Sequence, residues 1–486
     1  MTVKTDAAPA AAPTESELAQ ARTWAEEHLA PAVEAVASGR LPFSFTYGGK
    51  PSAILLAESP RSDEVAALDA ARTQRTITWI DPGSGLQVRC IAVEYRDFPV
   101  VEWSVYLRNT GTRSTPILED LQGLDLHLER DPDGEYVLHC IKGDSCTPDS
   151  YEPFDLVLGP GSRQRFASTG GRPTNGAYPC TNLELPGGGI ILAVGWPGQW
   201  ESTYTRDADR GLAVRAGQEQ THLTLRPGEE VRTPLNVVLR WEGTDLVRAQ
   251  NLWRRWMLTH NTPHPGGKPP GPIFCFCDGA FFTGLKCNAT DEMKALDTLH
   301  RQGIELDYWW MDAGWYPGQD WAQGVGTWEP DPERFPHGIR QVADHAHSLG
   351  AGLVLWFEPE RVMPGTWLAQ THPEWLLGSR EGTMLLNLGD PAARAWLTEH
   401  VDRMIGEQGI TLYRQDFNMD PLPYWRDNDA PDRQGMTENL HVQGYLAYWD
   451  ELRRRHPDML IDSCASGGRR NDLETLRRAV PLLRSD

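Results

Sequence analysis

The sequence predicts a multidomain fold: an N-terminal antiparallel β-sandwich, then an incomplete (β/α)8 TIM barrel with about six strands present. Three observations carry this. The chain's 486 residues exceed one compact domain of ordinary size. Short strand-like runs separated by Gly, Pro and Asp turns fill residues 41–241, with no helical pattern between them. Past a Pro- and Gly-dense segment at 261–272, apolar runs alternate with helical stretches, as parallel strands and crossover helices do.

Each element follows in order. Residues 1–40 are expected to be a flexible segment carrying one helix, opened by the capping box Thr14-x-x-Glu17 and interrupted near Pro31. Residues 41–242 form the sandwich. Within it Val101, Trp103, Val105 and Leu107 alternate with Glu102, Ser104, Tyr106 and Arg108, a half-buried strand. Residues 222–226 and 230–240, joined by Pro227-Gly228-Glu229, read as a hairpin. Residues 243–271 hold an amphipathic connecting helix (246–260) and the linker. Residues 272–486 are the barrel, with strand-like runs at 273–277, 306–311, 352–357, 411–415, 459–462 and 480–483. Asp390 before Pro391 caps a helix to 407, and Thr437 caps another to 455.

Charge narrows the function. Lys and Arg total 46 against 67 acids, a net charge of −21, which repels phosphate backbones and anionic lipid. The expected partners therefore include neither nucleic acid nor membrane. No apolar run is long enough to span a bilayer, and Met1-Thr-Val-Lys-Thr-Asp lacks the order of a secretory signal. Cytoplasm and free thiols are the expectation for the eight cysteines. Cys275, Cys277 and Cys287 lie close in sequence, yet no CxxC pair or His set accompanies them, so no metal and no cofactor is assigned. Of 19 Trp, 13 lie between Trp253 and Trp449. Composition alone favours core packing for them; flat aromatic faces also stack on pyranose rings.

In βα units the functional residues follow the strand C-termini. Those positions carry Asp312, then Glu358 with Glu360 and Arg361, then Asp416 with Asn418, then Ser463-Cys464 and finally Asp486. The Gly-containing run 276–284 matches no phosphate-loop pattern. Carboxylates at strand ends bind a divalent metal, move protons, or serve as nucleophile and acid in glycoside cleavage. Some only pair with arginines, and Glu358, Glu360 and Arg361 are even candidates for that. Asp416 directly ends an apolar strand.

Four ordered motifs are specific: Trp310-Met-Asp-Ala-Gly-Trp-Tyr316, Trp356-Phe-Glu-Pro-Glu-Arg-Val362, Tyr413-Arg-Gln-Asp-Phe-Asn418 and Asp462-Ser-Cys-Ala-Ser-Gly-Gly-Arg-Arg-Asn-Asp472. With Pro42-Phe-Ser-Phe-Thr-Tyr-Gly-Gly49, they make residues 40–486 resemble glycoside hydrolase family 36, the microbial α-galactosidases. The resemblance implies that Asp416 is the nucleophile and Asp486 the acid/base. It also implies that Asp312, Trp315, Arg414, Asn418, Cys464 and Gly467 contact or wall the sugar. Terminal α-D-galactosyl residues of oligosaccharides would then be cleaved by double displacement, with carboxyls about 5–5.5 Å apart. Two departures stand out: Ala313 replaces the second of two adjacent recognition acids, and Arg414 stands where the family has Lys. An α-N-acetylgalactosaminide therefore stays open as substrate. Members often oligomerise, and this sequence does not fix the number of subunits.

The barrel portion covers about 215 residues where a complete barrel takes roughly 250. The chain is accordingly expected to be truncated at Asp486 and, as it stands, unstable or inactive. A catalytically inactive carbohydrate-binding fragment and a divalent-metal lyase or isomerase are the competing classes.

Overall fold

The computed structural model describes residues 11–282, 287–378 and 382–484. The capping box forms: Thr14 Oγ1 accepts from the Glu17 N–H at 3.1 Å, and Glu17 Oε2 accepts from the Thr14 N–H at 2.7 Å. The helix runs Glu15–Leu29 and stops short of Pro31. It is docked, with Trp24 packed at a 36° tilt 5.4 Å from Trp103 and buried Glu17 held by Arg248 at 2.7 Å.

Antiparallel strands from Ser44–Tyr47 to Leu235–Glu242 form two sheets. Apolar side chains of both, among them Trp103, Val105, Leu124 and Val214, belong to one buried core. The strand Val100–Asn109 is buried on both faces where alternation predicts one. Its outer face is covered from far along the chain: Arg477 grips Glu102 at 2.6 and 3.1 Å, and Arg232 donates to Ser104 at 3.1 Å. The expected hairpin does not form. The turn is present, with Gly228 at φ 85°. Its flanks part, because His222–Leu223 pairs with Leu118–Glu129 while Glu230–Arg232 pairs with Val100–Asn109 in the other sheet.

The connecting helix Leu246–Trp256, capped by Asp245, ends in a widened turn over Met257–Asn261. Five parallel strands follow in the order Cys275–Cys277, Tyr308–Met311, Gly352–Phe357, Leu412–Gln415 and Leu460–Ser463. The sixth predicted strand is corrected to a single parallel bridge, Asp462 to Val480. Pro481 has no N–H to extend the ladder. Among the described residues the sheet is thus five strands and a bridge. A small three-stranded sheet (Arg361–Val362, Leu376–Leu377, Met384–Leu386) sits between the third and fourth parallel strands.

Crossover helices begin as their sequences dictate, with one exception. Asp390 Oδ1 accepts from the Ala392 N–H at 2.7 Å, and Pro391–Gln408 ends on left-handed Gly409. Met436–Arg455 starts at Gly435, not at Thr437, because φ 87° there suits glycine alone. Thr437 lies within the first turn and its hydroxyl donates to Asp429 at 2.7 Å.

The antiparallel and parallel parts are joined by more than the linker. His222–Leu223 pairs with Arg433–Gln434. Glu438 Oε1 accepts from Trp196 Nε1 at 2.7 Å and from the Gln199 N–H at 2.8 Å. Burial pushes the Glu438 carboxyl up from 4.5 to about 8 against those bonds. The folded state therefore holds this proton where the unfolded chain has lost it. Its stabilisation is full below pH 4.5 and is lost as pH rises through about 8. Urea midpoints taken from pH 5 to 8 should fall with pH, and Glu438→Gln should flatten that fall.

Candidate active site

Asp312, Glu358, Asp416 and Cys464 each directly follow a parallel strand, so one end of the sheet collects them. A cavity of about 380 Å³ opens there, lined by Asp312, Ala313, Arg414, Asp416 and Asn418 among others, with Trp310, Trp321 and Trp356 as its aromatic walls.

Asp416 is 7% exposed and fully engaged. Its Oδ1 accepts from the N–H groups of Phe417 at 2.7 Å and Ser466 at 3.0 Å. Its Oδ2 accepts from Asn418 Nδ2 at 2.7 Å and Trp356 Nε1 at 3.2 Å. Burial raises this carboxyl, but the Arg414 charge and the hydrogen bonds from Ser466, Asn418 and Phe417 outweigh it and hold Asp416 below its ordinary range. The group is an anion in a nearly dry site.

Arg414, on the strand Leu412–Gln415, and Asp416, just past its end, both face the cavity. The Arg414 guanidinium pairs with Asp462 and lies 4.1 Å from the Trp310 ring centre, a desolvated cation–π contact. Asn418 is braced from both ends: Glu358 accepts from its backbone N–H, and its Oδ1 accepts from Ser466 Oγ at 2.7 Å. Asp312 keeps its place through the Asp278 carboxylate, which accepts its N–H at 3.0 Å.

The acid cluster after the third strand divides. Arg361 clamps Glu358 at 2.9 Å through its Nε. Burial pushes Glu358 upward in spite of that partner, with the nearby Asp416 charge adding to the rise. Glu360 faces away from the cavity. Arg470 at 2.6 and 3.1 Å, His441 at 2.9 Å and Gln415 at 2.9 Å bind it, and these partners overcome burial to hold it at about 2.

Of the sequence-predicted site residues, Asp312, Arg414, Asp416 and Asn418 line the cavity. Trp315 does not: it is 1% exposed, packs on Phe357 and Trp328, and donates from Nε1 to the Trp356 carbonyl at 2.8 Å. Cys464 and Gly467 stand behind Asp416, where the Gly467 N–H meets Cys464 Sγ at 3.3 Å. Asp486, and with it the carboxyl separation, lies outside the described residues.

Several residues escaped sequence reasoning. Trp310, Trp356 and Asp462 sit inside the quoted motifs and were legible there. Ser466, at φ 51°, is strained into the left-handed region so that its N–H reaches Asp416. Arg172, from a loop of the antiparallel part, donates to Asp420 at 2.8 Å, to the Ala465 carbonyl at 3.2 Å and to Ser466 Oγ at 3.1 Å. Nothing local in sequence marks it.

Comparison with known proteins agrees with this geometry. Residues 282–486 match the melibiase family model. An α-galactosidase of Escherichia coli is 30% identical over 184 residues, covering 36% of this chain and 25% of that protein. One from Lactobacillus acidophilus is 23% identical over 414 residues, 82% of this chain and 55% of that protein. The chain thus spans from a quarter to about half the length of these relatives. A GH36 α-galactosidase AgaA variant from Geobacillus stearothermophilus, solved with stachyose, shares the fold at TM-score 0.74 and 18% identity, over 90% of this chain and 63% of that one. The α-galactosidase of Lactobacillus brevis does so at 0.74 and 19%, over 90% and 61%. Through residues 282–486, the chain is similar to the melibiase family.

Proposed function

We propose that the protein is a retaining α-galactosidase acting on terminal α-D-galactosyl residues of oligosaccharides. The observation that carries this is Asp416: an anionic carboxylate on the wall of a Trp-lined cavity, held by four donors and the Arg414 charge. Oligosaccharides such as the stachyose and raffinose bound by its structural relatives are the substrate class.

The residues divide the work. Asp416 attacks the anomeric carbon from the face opposite the leaving oxygen, giving a covalent glycosyl-enzyme. Its bond to Asn418 Nδ2 leaves that side chain aimed at the reacting ring. Asp312, across the cavity, accepts from sugar hydroxyls, and the aromatic walls stack on the ring's apolar face and keep water out. Asp486, carried over from the family pattern, protonates the departing oxygen and then deprotonates the incoming water. The eight unbridged cysteines support a reducing, cytoplasmic setting. Ala313 lines the cavity where the family places an acid, which favours testing a bulkier substituted sugar as well.

An aryl α-D-galactopyranoside and its N-acetylgalactosaminide counterpart are the test substrates, with the first-formed sugar anomer read by proton NMR. Release of α-galactose first is the expected result. β-Galactose first would refute retention, turnover of the N-acetyl sugar alone would move the specificity, and sugar binding without turnover of either would establish a lectin-like role.

A further inference from the structure

A second cluster lies behind Asp312 and outside the catalytic cavity. Asp278 follows the first parallel strand, Cys287 precedes the helix Ala289–Arg301, and Glu292 sits in that helix's first turn. Each presents one donor atom, and the three donors lie within 4.8 Å of one another. All are removed from water, at 1%, 3% and 0% exposure respectively.

Among the described residues, the cluster is short of positive charge. Glu292 Oε2 accepts from Trp309 Nε1 at 2.8 Å, while buried Oε1 finds no donor outside the cluster, whose own Cys287 thiol and Asp278 carboxyl face it. Cys287 Sγ reaches Asp278 Oδ2 only at 3.8 Å. Among the described residues Arg334 is the neighbouring cation, and its Nη1 and Nε are taken by the Cys287 carbonyl at 3.1 Å and by Asp331 at 2.8 Å. Burying two carboxylates together costs several kcal/mol per ion unless a counter-charge is present. Left to themselves the groups must keep protons, and burial does push Asp278 up to about 6 and Glu292 far above its ordinary value.

We propose that Asp278, Cys287 and Glu292 bind a zinc-class divalent cation. A thiolate with two carboxylate oxygens suits Zn2+ and disfavours Mg2+ or Ca2+, which take oxygen alone. Metal–donor bonds of about 2.0–2.3 Å require donors some 3.3–3.8 Å apart, so the three close by up to roughly 1.5 Å on binding. Binding releases the Cys287 thiol proton, and those on the carboxyls, to solvent. One enclosed water would complete the four-coordinate shell. The site's role is architectural, since Asp278 also accepts the Asp312 N–H and the ion would lock that wall of the cavity. The donors at 278, 287 and 292 follow no standard ligand spacing, which is why the sequence alone assigned no metal.

Cobalt is the probe. The full chain, stripped with chelator and reduced, should take up one Co2+ with an intense near-ultraviolet thiolate-to-metal band that Zn2+ bleaches. Cys287→Ser should lose that band, and Cys90→Ser, in the antiparallel strand Leu86–Tyr95, should keep it. Zinc should also raise the melting temperature of the stripped wild-type chain, a readout independent of variant folding. Absence of the band in the wild type, its survival in Cys287→Ser, or an unchanged melting temperature would overturn the assignment. None of these readouts depends on which sugar the enzyme cleaves.

Discussion

Asp416→Asn is expected to lower kcat on an aryl α-galactoside by a factor on the order of 10⁴ or more. An amide is a poor nucleophile, and here it is also a poor tenant. Four donors surround the native carboxylate, two on each oxygen, so an amide nitrogen must face two N–H groups on one side. The Arg414 charge meanwhile loses part of its compensation, although Asp462 remains. Circular dichroism should show the variant folded. Asp416→Gly with added azide separates loss of the nucleophile from misfolding, because a small anion filling the vacated space should give β-galactosyl azide. Activity within tenfold of wild type in Asp416→Asn would assign the nucleophile elsewhere. With Asp416 as the proposed nucleophile the anion is the working form, and because Asp416 is held below its ordinary range this acid limb of kcat/KM should fall below the ordinary Asp value of about 3.9.

Arg470→Met should cost about 3–5 kcal/mol of stability. The guanidinium binds both oxygens of Glu360 and lies between the rings of Phe417 and Tyr445, 4.3 and 4.5 Å from their centres. Glu360 is fully buried and held at about 2 largely by this partner. Without it, His441 and Gln415 are left to support the carboxylate. Urea unfolding at pH 7 measures the loss. The double variant Glu360→Leu/Arg470→Met should recover part of it, since removing both charges also removes the desolvation cost. A shift below about 1 kcal/mol in the single variant would show that His441 alone supplies the counter-charge.

Much of this molecule was legible because the relevant physics is local. The Thr14–Glu17 capping box, the Asp390-Pro391 helix start and the Gly/Pro break before 272 each rest on neighbours a few residues apart. The strand-end rule likewise brought Asp312, Asp416 and Asn418 to one cavity. What escaped was set by distant partners. Glu102 is buried because Arg477, 375 residues on, reaches it. The chain at 222–232 forms no hairpin because each flank finds a better edge in a different sheet. Trp315 has the composition of a sugar platform, yet its indole N–H is spent on the Trp356 carbonyl and its ring on the core. Val480 begins a strand in pattern only, because the following proline cannot donate to the ladder.

Arg172 gives the antiparallel half a mechanical meaning. Its guanidinium rivets three stretches at once: the Phe417 carbonyl just past Asp416, Asp420 beyond it, and the Ala465–Ser466 loop whose N–H steadies Asp416. The alignment of the Asp416 carboxylate is therefore borrowed from a buried loop outside the parallel sheet. Transplanting the parallel half alone onto another scaffold would deliver the right residues in slack loops, like a vice with its screw removed.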